Sequence, residues 1–340
     1  MRGLNLTPLQ RYLIRRAVYS IIIIFVIIFT VFTLSRLAGD PVEAYVTPET
    51  PPEIVEIIRI KYHLDEPIPV QFVYWLDGII HGDWGRAFSH GEEPLTELIA
   101  RYLPFTLELN LYVFAIALPL GYWIGTKAAT HKDTWVDHGA RILAIMGVCL
   151  PQFFTGLLLL AFLYPKGWIV VDPRFTFTRI TGMPTIDAIL NGDLKGLLEA
   201  FRYLIGPLLT AILSSLAMNT RVLRSNILEE LDKDYITTGR SKGLSKDYVE
   251  KKYARRNALI PFITLVGFWI ASLVSGTAVL EIVFNRQGLG NIAAAAAKAT
   301  DHNTIQIITA IYAIALVGVN VIVDIIYGYI DPRIKYGGNK

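Results

Sequence analysis

Carboxyl groups set inside apolar stretches are the most chemically suggestive feature of this sequence. Glu108 lies one turn into a long apolar run, Glu281 near the end of another, and Asp324 late in the last, beside Tyr327. An ionisable group at membrane depth is costly and is by default a candidate for handling substrate, ions or protons. All three sit near the ends of their runs, where snorkelling or hydrogen bonds between helices give the blander account. No run carries several charges near its centre, which argues against coupling to a proton or ion gradient. Other reactive groupings are sparse. His63, His81, His90, His131, His138 and His302 show no metal-ligand spacing, so no metal site is expected. No G-x-x-x-x-G-K-[ST] phosphate loop occurs, so the chain itself is not expected to hydrolyse ATP. Gly288-Leu289-Gly290 reads as a tight turn. Cys149, the single cysteine, reads as packing in an apolar helix and excludes an internal disulfide framework.

A second group of residues lies outside any apolar run. From Leu228 to Pro261, ionic residues of both signs alternate. Gly239 and Gly243 bracket Arg240-Ser241-Lys242, and Ser245 suits the N-cap of a helix through Tyr248, Val249, Lys252 and Tyr253. A short helix closed by a glycine turn and followed by a second helix makes a compact knob. Docking of a partner and a plain solvated basic loop both fit that pattern.

The elements that must carry these residues are membrane helices. The chain has 340 residues, 53% hydrophobic and only 18% charged, with mean hydropathy +0.44. Soluble domains carry about a quarter charged residues. A net charge of +3 is too small to argue for a nucleic-acid partner. About 20 apolar residues cross a bilayer core, and six stretches qualify: residues 12–34, 105–129, 140–164, 203–222, 262–284 and 304–329. The first follows Arg11, Arg15 and Arg16 and is longer than a signal-peptide core, so it reads as an uncleaved anchor. Pro119, Pro151 and Pro207 fall inside spans, and Ser214, Ser215 and Ala217 form a small-residue face, so the second to fifth helices are expected to be bent or closely packed.

Lys and Arg concentrate in the N-terminus, the loop after the second span, the loop after the fourth and the tail. With six crossings these share one side, which makes it cytoplasmic, with both termini inside. The opposite side holds the segment 36–102, with short helices expected around Ile54–Ile58 and Val70–Ile80. That segment reads equally as a cap on the bundle or as a surface for an external partner. The expected architecture is an all-α polytopic membrane protein with six transmembrane helices. Its organisation is an N-terminal helix in 1–35, an external segment in 36–102 and a five-helix core in 103–340, with a cytoplasmic loop at 228–261.

Several motifs in order along nearly the whole chain resemble one family. They are Arg36-Leu37-Ala38-Gly39-Asp40-Pro41, Leu64-Asp65-Glu66-Pro67-Ile68-Pro69-Val70-Gln71-Phe72, Gly82-Asp83-Trp84-Gly85 and Leu103-Pro104-Phe105-Thr106-Leu107-Glu108-Leu109. The run from Asp234 to Ser245, DYITTGRSKGLS, continued by Arg256-Asn257-Ala258-Leu259-Ile260-Pro261, is similar to the EAA-type cytoplasmic loop. Glu281-Ile282-Val283-Phe284, Gly288-Leu289-Gly290 and Asp331-Pro332-Arg333 complete the pattern. The chain thus resembles a permease subunit of ABC importers in the dipeptide/oligopeptide/nickel branch, of the first-permease type. It departs from the pattern at Gly239 and Ser241, where alanines are usual, at Tyr253-Ala254-Arg255, where His-Ala-Leu is usual, and at Arg286-Gln287, where Trp-Pro is common.

The resemblance implies a type I permease fold in the cell (plasma or inner) membrane. It implies a coupling helix docking into an ATPase subunit, with Tyr235, Thr238, Gly239, Arg240, Lys242, Gly243, Leu244 and Ser245 at the coupling site. The implied partners are a second homologous permease, two ATPase subunits that bind ATP and Mg, and an external solute-binding protein. No cofactor is implied in this chain. The implied cargo is di- or oligopeptides, with oligosaccharides as the alternative, and an ATP-independent secondary transporter or channel as the more distant one.

Overall fold

A computed structural model describes residues 8–44, 46, 49–272, 274 and 278–330. The chain is almost wholly helical. Its elements are α1 (Pro8–Ala38), α2 (Pro52–Lys61), α3 (Ile68–Ile80), α4 (Leu95–Thr130), α5 (Trp135–Cys149), α6 (Gln152–Leu163), α7 (Pro184–Leu190), α8 (Leu194–Leu231), α9 (Asp234–Ser241), α10 (Lys246–Val249), α11 (Arg255–Ser272), α12 (Ala278–Val283), α13 (Leu289–Lys298) and α14 (His302–Ile330). Glu250–Ala254 is a π-helical turn that joins α10 to α11. Two two-residue strands, β1 (Arg86–Ala87) and β2 (Glu93–Pro94), pair antiparallel with Arg86 opposite Pro94.

Among the described residues, α1 from Ile14, α4, α8 and α14 to Ile322 are each long and apolar enough to cross a membrane. The expected span at 140–164 is instead two helices, α5 and α6, bent by 100° at Leu150-Pro151. Proline disfavours helical backbone in the residue before it, and Leu150 accordingly takes an extended conformation, with φ −81° and ψ 121°. The expected span at 262–284 comprises α11 and α12, and residues 273 and 275–277 between them lie outside the described residues. The described spans therefore number four, or five with the bent pair, against the six expected. Pro104 and Pro119 do not end α4, and Pro207 does not end α8. Both helices run well beyond the apolar stretches that announced them.

The chain divides into two compact units, Met1–Leu103 with Leu289–Lys340, and Pro104–Gly288. In the first, α1 and α14 pack together, and Phe72 of α3 inserts among Phe25, Phe29 and Phe32 of α1 at ring separations of 5.1–5.4 Å. On α3, Phe72 is buried whereas Val73 and Ile80 are exposed. A second cluster joins Leu95, Leu98 and Ile99 to Ile292, Ile307 and Ile308. Asp301 caps α14, accepting from the Thr304 backbone N–H (3.1 Å), and also holds Ser89 N–H (3.0 Å).

In the second unit α8 is the central post. The middle of its buried face carries small and polar residues, among them Gly206, Thr210, Ala211, Ala217, Asn219 and Thr220, with Tyr203 and Leu204 buried before them and Leu223 and Ile227 after. Small residues opposite let the backbones approach. A Cβ on Gly147 of α5 would lie 2.4 Å from the Ala217 Cβ, and one on Gly121 of α4 would lie 2.5 Å from that of Asn219. In a lipid solvent, where apolar burial gives helices little drive to associate, such close packing and hydrogen bonding hold them together. Cys149 is exposed at the end of α5, not packed as expected.

Candidate functional site

Two constellations in the second unit collect the residues singled out by sequence. The first is the knob that follows α8. Lys233 leads into α9, and Lys242 ends it. The chain then reverses at Gly243, whose φ of +79° is the left-handed conformation that costs other L-residues about 1–2 kcal/mol. Ser245 caps α10 by accepting from the Tyr248 N–H (3.4 Å), as its position predicted. A small core of Ile236, Val249 and Ala254, flanked by Leu231, Tyr235, Leu244 and Tyr253, holds the two arms together. Beneath it, Ala129, Leu223, Ile227, Ala258 and Phe262 tie the knob's base to α4, α8 and α11.

Tyr235 fixes the angle of the first arm. Its hydroxyl donates to Glu230 at the end of α8 and accepts from the Asn257 Nδ2 of α11 (3.1 Å). Burial pushes the Tyr235 phenol above its ordinary pKa, and the adjoining Glu230 carboxylate adds to this against the opposing Asn257 bond. The group therefore remains a neutral donor throughout the physiological range. Lys233 also pairs with Glu230 (2.6 Å), which raises its pKa.

The expected coupling residues split between two faces. Tyr235, Gly239 and Leu244 point toward the knob's core, while Thr238, Arg240, Lys242, Gly243 and Ser245 are exposed. A Cβ on Gly239 would meet Val249 Cγ2 at 3.4 Å, an ordinary contact, so alanine fits where this chain has glycine. The knob is a braced double arm with a polar, basic outer face.

The second constellation surrounds Glu108. Its carboxylate accepts from the Thr185 N–H and Oγ1, both at 2.7 Å, and pairs with the Arg286 Nη2 at 2.6 Å. The two charged side chains are 1% and 0% exposed. Arg286 also donates to the Phe105 carbonyl (3.2 Å) and lies 4.9 Å from the Tyr203 ring centroid. Glu281, equally buried, accepts from Thr106 Oγ1 (3.0 Å). Its carboxylate lies where a Cβ on Gly288 would stand, at 2.4 Å, which explains that glycine in the turn. Glu108 and Glu281 thus sit in interhelical polar networks instead of snorkelling. The side chain of Asp324 and the Asp331-Pro332-Arg333 motif lie outside the described residues.

The partner that sequence reasoning missed is Arg286. It stood only as a departure from a pattern, yet a lone arginine five residues after Glu281, at the end of an apolar run, was a signal that some carboxylate must answer it. Asp137 was also missed. Fully buried at the start of α5, it accepts from the Arg141 Nε (3.2 Å) and the Arg224 Nη2 (3.0 Å), clamping α5 to α8. The Asp137–Arg141 spacing of four was its visible trace. Among the described residues, no group of three or more His, Cys, Asp or Glu side chains could hold a metal.

Comparison with known proteins matches these features to one machinery. Residues 117–336 match the family model described as binding-protein-dependent transport system inner membrane component, and residues 9–109 match the corresponding N-terminal model. The chain is 35% identical over 316 residues to the probable D,D-dipeptide transport system permease protein of Escherichia coli, covering 91% of this chain and 93% of that protein. It is 33% identical over 327 residues to an oligopeptide transport system permease protein of Bacillus subtilis, covering 96% and 99%. A putative peptide transport system permease protein of Brucella abortus is 35% identical over 316 residues, covering 93% and 95%. The first match covers the α8 post, the knob and Glu281, and the N-terminal match covers Glu108. This multi-pass membrane chain belongs to the family of inner-membrane components of binding-protein-dependent transport systems.

Proposed function

We propose that this chain is a permease subunit of an ATP-driven importer of di- and oligopeptides in the cell membrane, with both termini cytoplasmic. The observation that carries the reading is the likeness to peptide permeases over more than nine-tenths of the chain. An external solute-binding protein delivers peptide, and a second, homologous permease completes the path. Two ATPase subunits bind ATP and Mg and close on nucleotide.

The knob transmits that closure. Thr238, Arg240, Lys242 and Ser245 offer the ATPase an exposed polar face, while Tyr235, Gly239 and Leu244 hold that face rigid against its base. A lever transmits motion only if it does not bend, and the Tyr235 bridge from Glu230 to Asn257 supplies the brace. The Glu108–Arg286 pair ties α4 to the chain just beyond α12, which makes those segments move as one body.

Uptake of labelled peptide into vesicles holding the reconstituted complex tests the reading. Uptake is expected to require ATP and the binding protein, and to persist when ion gradients are collapsed. Uptake that follows the gradient and ignores ATP would overturn it.

A further inference from the structure

Beside the knob lies a cavity of about 510 Å³, walled by the end of α4 on one side and by α10, the π-turn and the start of α11 on the other. Its cations, Lys127, Lys246, Lys251 and Arg255, outnumber its carboxylates, Asp247 and Glu250. The carboxylates are already occupied, Asp247 with Lys251 (2.7 Å) and Glu250 with Lys246 (3.7 Å). Among the described residues, Lys127 and Arg255 have no carboxylate partner.

Two further groups on the cavity wall lack the partners that burial demands. The Thr126 hydroxyl belongs to a side chain only 6% exposed and makes no hydrogen bond, and the buried Arg255 Nε has no acceptor. Buried polar atoms are nearly always satisfied, and an orphaned donor is costly. An oxyanion entering here would accept from both while its charge answers Lys127 and Arg255.

The rim says where that oxyanion comes from. Tyr122 and Trp123, the latter 60% exposed, stand one turn before Lys127 at the end of an apolar membrane helix. Exposed Trp and Tyr at such a level mark the lipid headgroup zone, and basic pockets there recognise acidic headgroups. The knob contributes its second arm to the wall, whereas the α9 face assigned to the ATPase does not line it.

We propose that this cavity holds the phosphodiester headgroup of an anionic phospholipid of the cytoplasmic leaflet. Lys127, Thr126 and Arg255 hold the phosphate, and the acyl chains lie along Tyr122 and Trp123. A bound lipid would then bridge α4 and the knob, so that lipid charge tunes the lever. The side of the membrane rests on the orientation given above; the headgroup chemistry does not.

Native mass spectrometry of the purified full chain in its complex tests this, with added phosphatidylglycerol or phosphatidylcholine. Phosphatidylglycerol should be retained preferentially. Each basic residue is worth about 1 kcal/mol toward an acidic headgroup, so Lys127→Gln should weaken its retention roughly fivefold and Lys127→Gln with Arg255→Gln roughly thirtyfold. Lys132→Gln, which removes the same charge at a residue that does not line the cavity, serves as the charge control and should change nothing. Equal retention of both lipids, or no effect of the variants, would overturn the proposal. Inorganic phosphate that binds the cavity and displaces no lipid would assign it to a free anion instead, and lost ATPase association with unchanged lipid retention would assign it to the protein partner. Accessibility of a cysteine placed at Lys132 reports the orientation separately.

Discussion

Arg286 and Glu108 show how a buried charge is made tolerable. Each alone would have to leave water for an apolar bundle; together, with two Thr185 donors and the Phe105 carbonyl, the charges are answered on several sides. Such a pair adds little net stability over an apolar pair of the same shape, but removing one member leaves an uncompensated charge. Arg286→Met is therefore expected to destabilise the protein by about 3–5 kcal/mol, and Glu108→Gln with Arg286→Met by clearly less than the sum of the single changes. Thermal unfolding of the four proteins in one detergent measures the cycle; strictly additive losses would show that the pair is not coupled. The two glycines of the knob should part company. Gly239→Ala has room for its methyl and should be neutral or stabilise by up to about 1 kcal/mol, whereas Gly243→Ala pays about 1–2 kcal/mol for its positive φ. Hydrogen-exchange protection of the knob separates these outcomes. Glu108 and Glu281 were legible in the sequence as anomalies of charge, and Gly243 and Ser245 as turn and cap. Arg286 left only a lone charge beside an apolar run and Asp137 only its spacing from Arg141, because their partners 178 and 87 positions away leave no local spacing to read.

The knob is an element too small to fold by itself. Its core rests on Ile236, Val249 and Ala254, each 1% exposed or less, and on the braces to α8 and α11. Ile236→Ala removes the largest of the three and should cost about 2–5 kcal/mol, lost from the knob before the rest of the chain. Limited proteolysis should then cut within 232–258 while the bundle stays intact; unaltered cleavage would mean the core is not what holds the arms. Tyr235→Phe keeps the packing but removes both hydrogen bonds of the brace, and should cost about 1–3 kcal/mol. Its readout is ATP hydrolysis stimulated by peptide-loaded binding protein, which should fall further than basal hydrolysis. The helices themselves were legible from apolar runs, since membrane-spanning length is set by bilayer thickness. Their ends were not, because α4 and α8 continue past their apolar stretches on polar residues. The bend at Pro151 was foreshadowed by the proline alone, and its 100° angle depends on packing that no local signal carries.

For the whole molecule, scarcity of charge and its placement tell a consistent story. Much of the charge lies in the knob, in the segments between spans and in a few buried pairs such as Glu108–Arg286 and Asp137–Arg224. The family likeness fits that distribution to a membrane component of a binding-protein-dependent transport system. The fold class and the membrane character were open to reading because both follow from composition and periodicity. The cargo was not, because recognition of a peptide depends on side chains brought together from separate helices. The central claim is that the knob converts ATPase closure into peptide movement. The most direct measurement is peptide-stimulated ATP hydrolysis and peptide uptake, side by side, in vesicles carrying wild-type protein or Gly243→Asp. The variant should insert and assemble in normal amounts yet lose both stimulation and uptake; unchanged stimulated hydrolysis in a fully assembled Gly243→Asp complex would contradict the account.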